Sequence, residues 1–165
     1  MGRLFALLCG LLLAGCGTPS FLVTPVSSSS SLREVEVQPG GGGWSAGKVA
    51  IIEVDGMILN AKTGGFLMPT ENPISLFSQQ LDVAARDRRV RAIVLRINSP
   101  GGTVTGSETL YNLVVRFKQQ TGKPVVAAAQ EVAASGGYMV ALPADHIMAT
   151  PTSIVGPIGV MMQLF

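Results

Sequence analysis

Two short glycine-rich runs hold the residues best suited to chemistry, Asn98-Ser99-Pro100-Gly101-Gly102 and Ala133-Ala134-Ser135-Gly136-Gly137. Each follows a run of strand-forming residues, and ligands of open α/β sheets bind beyond the carboxyl ends of the strands. Ser135 stands where a strand gives way to a helix, so backbone N–H groups without intrahelical partners come directly after its hydroxyl. Such groups stabilise negative charge on a substrate oxygen. Gly136 lets a substrate backbone approach without a β-carbon in the way, and Gly101 and Gly102 can offer a second N–H from the opposite side. A nucleophile between two donors is the arrangement that acyl transfer requires. Taken one at a time, the commoner explanations are an ordinary helix N-cap for Ser135 and an ordinary tight turn for Gly101-Gly102. Phosphate binding is disfavoured, because neither run has G-x-x-x-x-G-K-[ST] or G-x-G-x-x-G spacing.

These turns need elements to hold them. Val49 to Val54 reads as a strand closed by the turn pair Asp55-Gly56. Asn72 and Pro73 open a helix whose apolar face is Ile74, Phe77, Leu81 and Ala84, ending near Asp87. Ala92 to Ile97 is nearly continuous in apolar residues, as expected of a strand covered on both faces. Thr105 and Glu108 have capping-box spacing before the stripe Leu110, Leu113, Val114 and Phe117, and Gly122 stops that helix. A third strand over Pro124 to Ala129, a short helix from Ser135 to about Leu142 and a fourth strand over His146 to Ala149 complete the pattern. The alternation predicts an α/β fold with a mostly parallel sheet and right-handed crossovers. Parallel neighbouring strands then bring the two glycine-rich turns side by side.

The chain has 165 residues, enough for one domain, with 47% apolar and 13% charged residues and a net charge of +2. That charge is too small to argue for nucleic acid, and the densest basic stretch, Arg86 to Arg91, is interrupted by Asp87. Arg3 precedes an apolar run from Leu4 to Leu13 that ends in Leu13-Ala14-Gly15-Cys16. A permanent transmembrane helix needs about 20 apolar residues, so residues 1–15 read as a secretory signal. Residues 16–47, with serines from Ser27 to Ser31 and Gly40 to Gly43, read as a flexible tether. The folded domain is expected over residues 48–165. Cys9 lies inside the leader and Cys16 at its end, so no thiol is left for a disulfide or a metal site.

The Leu-Ala-Gly-Cys ending resembles a bacterial lipobox, which implies lipid on Cys16 and anchorage to the membrane. Gly17 stands where an inner-membrane retention signal would place Asp, which implies an outer-membrane lipoprotein facing the periplasm. The domain resembles a second family more extensively. Arg96 to Gly102, Gly122-Lys123-Pro124-Val125-Val126, Ala133 to Tyr138, Ala144 to Ala149 and Gly156-Pro157-Ile158-Gly159-Val160 resemble, in order and spacing, the signal peptide peptidase A (protease IV) family. The resemblance covers about Val49 to Val160. It implies a Clp/crotonase-like core, hydrolysis of peptide bonds by a serine-lysine pair without a cofactor, and assembly into a homo-oligomeric ring. Ser135 matches the family's nucleophile, and Gly102 and the N–H of Gly136 match its oxyanion donors.

Two departures stand out. The family's lysine lies some fifty residues beyond the serine, past Phe165, and Lys48, Lys62, Lys118 and Lys123 read as surface residues or strand flanks. The core is therefore expected to be incomplete at its C-terminus, and the chain alone to have little or no peptidase activity. Pro157 stands where the family usually has serine, which bears on hydrogen bonding near the site. His146, the only histidine, reads as structural. Signal-peptide remnants or other extended peptides are the implied substrates. The alternative is a non-catalytic, membrane-tethered module that binds peptides or joins a ring. An acyl-CoA enzyme of crotonase type is disfavoured, since an exported lipoprotein rarely meets CoA.

Overall fold

Alternation of apolar and polar side chains shapes the first strand, β1 (Lys48–Ile58), in which Ile52, Val54 and Ile58 are buried and Val49, Ile51 and Met57 are exposed. The structure is a computed structural model and describes residues 32–38, 47–61, 72–157 and 159. The leader, Cys16, most of the tether and Lys62 lie outside the described residues. Helix α1 (Pro73–Arg86) starts as expected: the Asn72 side chain accepts from the N–H groups of Ile74 and Ser75, and Ile74, Phe77, Leu81 and Ala84 are its buried residues. Strand β2 (Val90–Gly102) and strand β3 (Val125–Ala133) are longer than their apolar runs, because both extend into the glycine-rich turns. Between them lies α2 (Val104–Thr121), closed by Gly122 at φ 64°. The short α3 (Gly136–Ala141), β4 (His146–Met148) and β5 (Ile154–Val155) follow.

The cap of α2 lies two residues earlier than the capping-box spacing predicts. Thr103, not Thr105, is the N-cap, its hydroxyl accepting from the N–H of Gly106 at 3.2 Å. Both threonines suit the role by type. Thr103 takes it because the Gly102 turn leaves it extended, at φ −67° and ψ 143°.

Every strand pairing is parallel, in the order β1-β2-β3-β4, with β5 alongside the upper part of β3. Strand order thus follows chain order, and right-handed crossovers running in one direction put every helix on the same face. That overturns the expectation that β2 is covered on both sides. Ile93, Leu95 and Ile97 are completely buried against the helices, while Arg96 between them is exposed. Among the described residues nothing covers the second face, where Val49 is 60% and Ile51 45% exposed. The core lies between the sheet and the helices, with Leu110, Val114, Phe117, Val140 and Ala141 completing it.

The two edges of the sheet differ in chemistry. At the amino ends of the strands, Lys48 pairs with Glu34 at 2.7 Å and Asp87 at 2.9 Å, and Lys118 pairs with Asp145 at 2.7 Å. Its hydrogen bonds to the Glu34 and Asp87 carboxylates hold the Lys48 ammonium above its usual range. Those from Lys48 and the Arg89 N–H hold the Asp87 carboxyl below its own. Lys123 is more than a surface residue: its ammonium donates to the carbonyls of Ala84, Ala85 and Asp87 and satisfies the end of α1. The carboxyl ends of the strands carry the glycine-rich turns.

Candidate active site

Parallel pairing of β2 with β3 sets Ser99 opposite Ala133, and the two turns meet as expected. The N–H of Ala134 donates to the carbonyl of Ser99 at 3.0 Å. Ser135 then takes φ 49° and ψ −119°, the one positive φ of a non-glycine residue among those described. Such a conformation costs on the order of 1–3 kcal/mol and persists only where the surroundings impose it. They do so here: the Ser135 N–H donates to the Pro157 carbonyl at 2.9 Å, and the Ser135 carbonyl accepts from Met139 at 3.0 Å. Proline at 157 keeps this contact because the bond uses its carbonyl oxygen alone.

Ser135 is not an ordinary N-cap. Its side chain makes no capping hydrogen bond to α3, and among the described residues its hydroxyl has only a long contact, 3.4 Å, to the carbonyl of Gly159. The N–H of Gly136 has no acceptor among the described residues. Opposite it stands Gly101 at φ 101°, where a β-carbon would lie 2.7 Å from the Gly136 nitrogen and 3.0 Å from the Ser135 β-carbon. Both glycines are buried, and the missing side chain at 101 is what lets the two turns approach this closely. Gly102 is exposed one residue further on, and its α-carbon packs on the backbone of Ile58.

Two residues supporting this corner were not singled out by sequence. Ser99 and Ser107 are the buried polar residues of the described chain, 0% and 2% exposed. Ser107 lies under Gly136, where a β-carbon would overlap its hydroxyl, and Ser99 lies under Gly137. The signal for Ser107 was present: it precedes Leu110, Val114 and Phe117 at helical spacing, on the apolar stripe of α2.

None of the three described lysines is near Ser135. Lys48, Lys118 and Lys123 are engaged at the amino edge, and β3 alone spans about 30 Å at 3.3 Å per residue. His146 is exposed at the start of β4, on the same edge. On the open face of the sheet, Asp55 accepts from the Asn98 amide at 3.1 Å, and Glu53 pairs with Arg96, on a polar groove also lined by Gln130 and Glu131. Among the described residues no group of His, Cys, Asp or Glu is placed to hold a metal ion.

Residues 117–165 match the model of Peptidase family S49. Protease 4 of Salmonella typhi is 36% identical over 116 residues, covering 70% of this chain and 18% of that protein. The Na(+)/H(+) antiporter NhaA of Brucella melitensis is 38% identical over 120 residues, covering 72% of this chain and 16% of that protein. Among solved structures, a mutant of the 1510-N membrane-bound stomatin-specific protease matches with a TM-score of 0.46 and 21% identity, covering 66% of this chain and 46% of that one. Over the stretch it shares with its relatives, the chain belongs to the signal peptide peptidase A, or protease IV, family. It spans less than a fifth of the length of the first curated relatives, 18% and 16%.

Proposed function

We propose that this chain carries the nucleophile and oxyanion parts of a serine peptidase. The observation that carries the reading is the Ser135 corner: a strained, uncapped serine beside a Gly136 N–H with no acceptor among the described residues, closely approached by the glycine turn at 101. In this reaction the Ser135 Oγ attacks the peptide carbonyl carbon and loses its proton to a general base. The carbonyl oxygen becomes an oxyanion held by the Gly136 N–H, with the Gly102 N–H as second donor. The base passes the proton to the departing amine, and water then hydrolyses the Ser135 ester. Extended peptides, such as signal-peptide remnants, are the substrates.

The base is a lysine outside the described residues, as the family resemblance implies. Burial must lower its pKa towards neutrality for it to accept the proton. The distance of Lys48, Lys118 and Lys123 from Ser135 supports this. In the protein isolated from its own cells, Ser135→Ala is expected to abolish cleavage of an extended peptide. Undiminished cleavage would remove Ser135 from the reaction. The purified 165-residue chain is expected to cleave little or nothing, and full activity there would place the base within it.

The placement of those lysines also favours a second reading, a non-catalytic module that holds peptides or joins a ring of relatives. Peptide binding equal in wild type and Ser135→Ala, with no cleavage by either, selects it. Lipid on Cys16 anchors the chain to the outer membrane in both readings. Labelled palmitate incorporated by the wild type and not by Cys16→Ala would bear this out, and equal labelling would reject it.

A further inference from the structure

Ser99 makes more connections at this corner than any sequence motif required. Its hydroxyl donates to the carbonyl of Gly56 at 2.6 Å, in the turn of β1, and accepts from the N–H of Gly101 at 3.1 Å. Its carbonyl accepts from the N–H of Ala134 at 3.0 Å, directly before the nucleophile. A β-carbon on Gly137 would lie 2.5 Å from that carbonyl oxygen and 3.1 Å from the Ser99 β-carbon, so the first turn of α3 rests on this residue. The side chain is wholly buried, with donor and acceptor capacity both used. One serine thus links the ends of β1, β2 and β3.

We propose that Ser99 is a positioning residue, which fixes the separation between the Gly101-Gly102 turn and the Ser135-Gly136 corner. Its backbone carbonyl sets the nucleophile side and its hydroxyl sets the opposite side. Alanine at 99 keeps the first link and removes the second. The Gly101-Gly102 turn is then free to drift relative to Ser135, and misplacement on the order of 1 Å costs about a hundredfold in rate. Ground-state peptide binding along the strands would be little affected. The inference rests on the peptidase reading above, and its test has one arm that does not.

Amide hydrogen exchange on the full chain provides that arm. In the wild type the Gly101 N–H exchanges slowly, and in Ser99→Ala it exchanges at least tenfold faster, while the Ala134 N–H stays protected. Equal exchange of Gly101 in both proteins overturns the proposal whatever the enzyme does. The second arm is kinetic, in the protein from its own cells. Ser99→Ala is expected to lower kcat about tenfold to a hundredfold with KM within about twofold. Val114→Ala, which loses core packing two turns along α2, supplies the comparison for stability alone and leaves kcat near wild type below its melting range. Matching kcat in Ser99→Ala and Val114→Ala overturns the positioning role. Absence of any cleavage by the wild type counts against the peptidase reading, and the exchange result then decides the role of Ser99 by itself.

Discussion

Gly101 faces Gly136 so closely that a β-carbon on the first would stand 2.7 Å from the backbone nitrogen of the second. The contact joins the carboxyl ends of two neighbouring strands, and it makes their close approach depend on one missing methyl group.

Gly101→Ala tests this contact directly. The substitution meets both a left-handed backbone, φ 101°, and an occupied neighbour. A loss of about 2 kcal/mol or more is expected in denaturant unfolding. Cleavage is expected to be lost even in conditions where the variant is fully folded. A folded Gly101→Ala protein with wild-type cleavage would show that this close approach is not needed for the reaction.

Ser135 predicts a separation of stability from activity. Alanine at 135 keeps the positive φ and glycine relieves it, so Ser135→Gly should be more stable than Ser135→Ala by about 1 kcal/mol. Both should be inactive. Paired urea melts of the two variants measure the difference, and equal midpoints would mean that the backbone relaxes without cost.

Gly136 and Ser107 are predicted to be coupled. Gly136→Ala drives a β-carbon into the Ser107 hydroxyl and to 2.9 Å from its β-carbon, an overpacking worth about 1–3 kcal/mol. Ser107→Gly also destabilises, through lost helix propensity and the lost hydrogen bond to the Thr103 carbonyl. The double variant should lose less than the sum of the two, by about 1 kcal/mol or more. Strict additivity in a double-mutant cycle would contradict the contact.

Asp145 gives a dependence on pH. Its carboxyl accepts from the Lys118 ammonium and from the Val125 N–H, and these bonds hold its pKa below the ordinary carboxylate range. A carboxyl lowered in the folded state stabilises the protein above its unfolded pKa of about 4. The contribution fades as pH falls through the lower folded value. Melting temperatures should therefore drop more steeply in acid for the wild type than for Asp145→Asn, and the two should converge at the lowest pH. Parallel profiles would show that the pair adds no stability.

The helices and strands were legible because their signals are local. The stripe of Ile74, Phe77, Leu81 and Ala84 and the caps at Asn72 and Gly122 act within a few residues. The meeting of the two turns followed from parallel pairing alone. The bare face of the sheet was not legible, since Ala92 to Ile97 reads as apolar whichever face is covered. What leaves one face open is the strand order, a long-range property. The φ of Ser135 was hidden for a similar reason: it is imposed by Ser99, Pro157 and Gly101, each from another segment. Thr103 and Thr105 were indistinguishable by type, and only the path of the backbone through Gly102 separates them.

The carbonyl of Pro157 adds an order of events to this geometry. Neighbours in the sheet are neighbours in the chain, so β1, β2 and β3 can pair with no residue beyond Ala133. The bond from the Ser135 N–H waits for Pro157, which arrives after β5. A chain cut before Pro157 is therefore expected to keep the sheet and the serine and to lose the backbone shape of the corner that presents it.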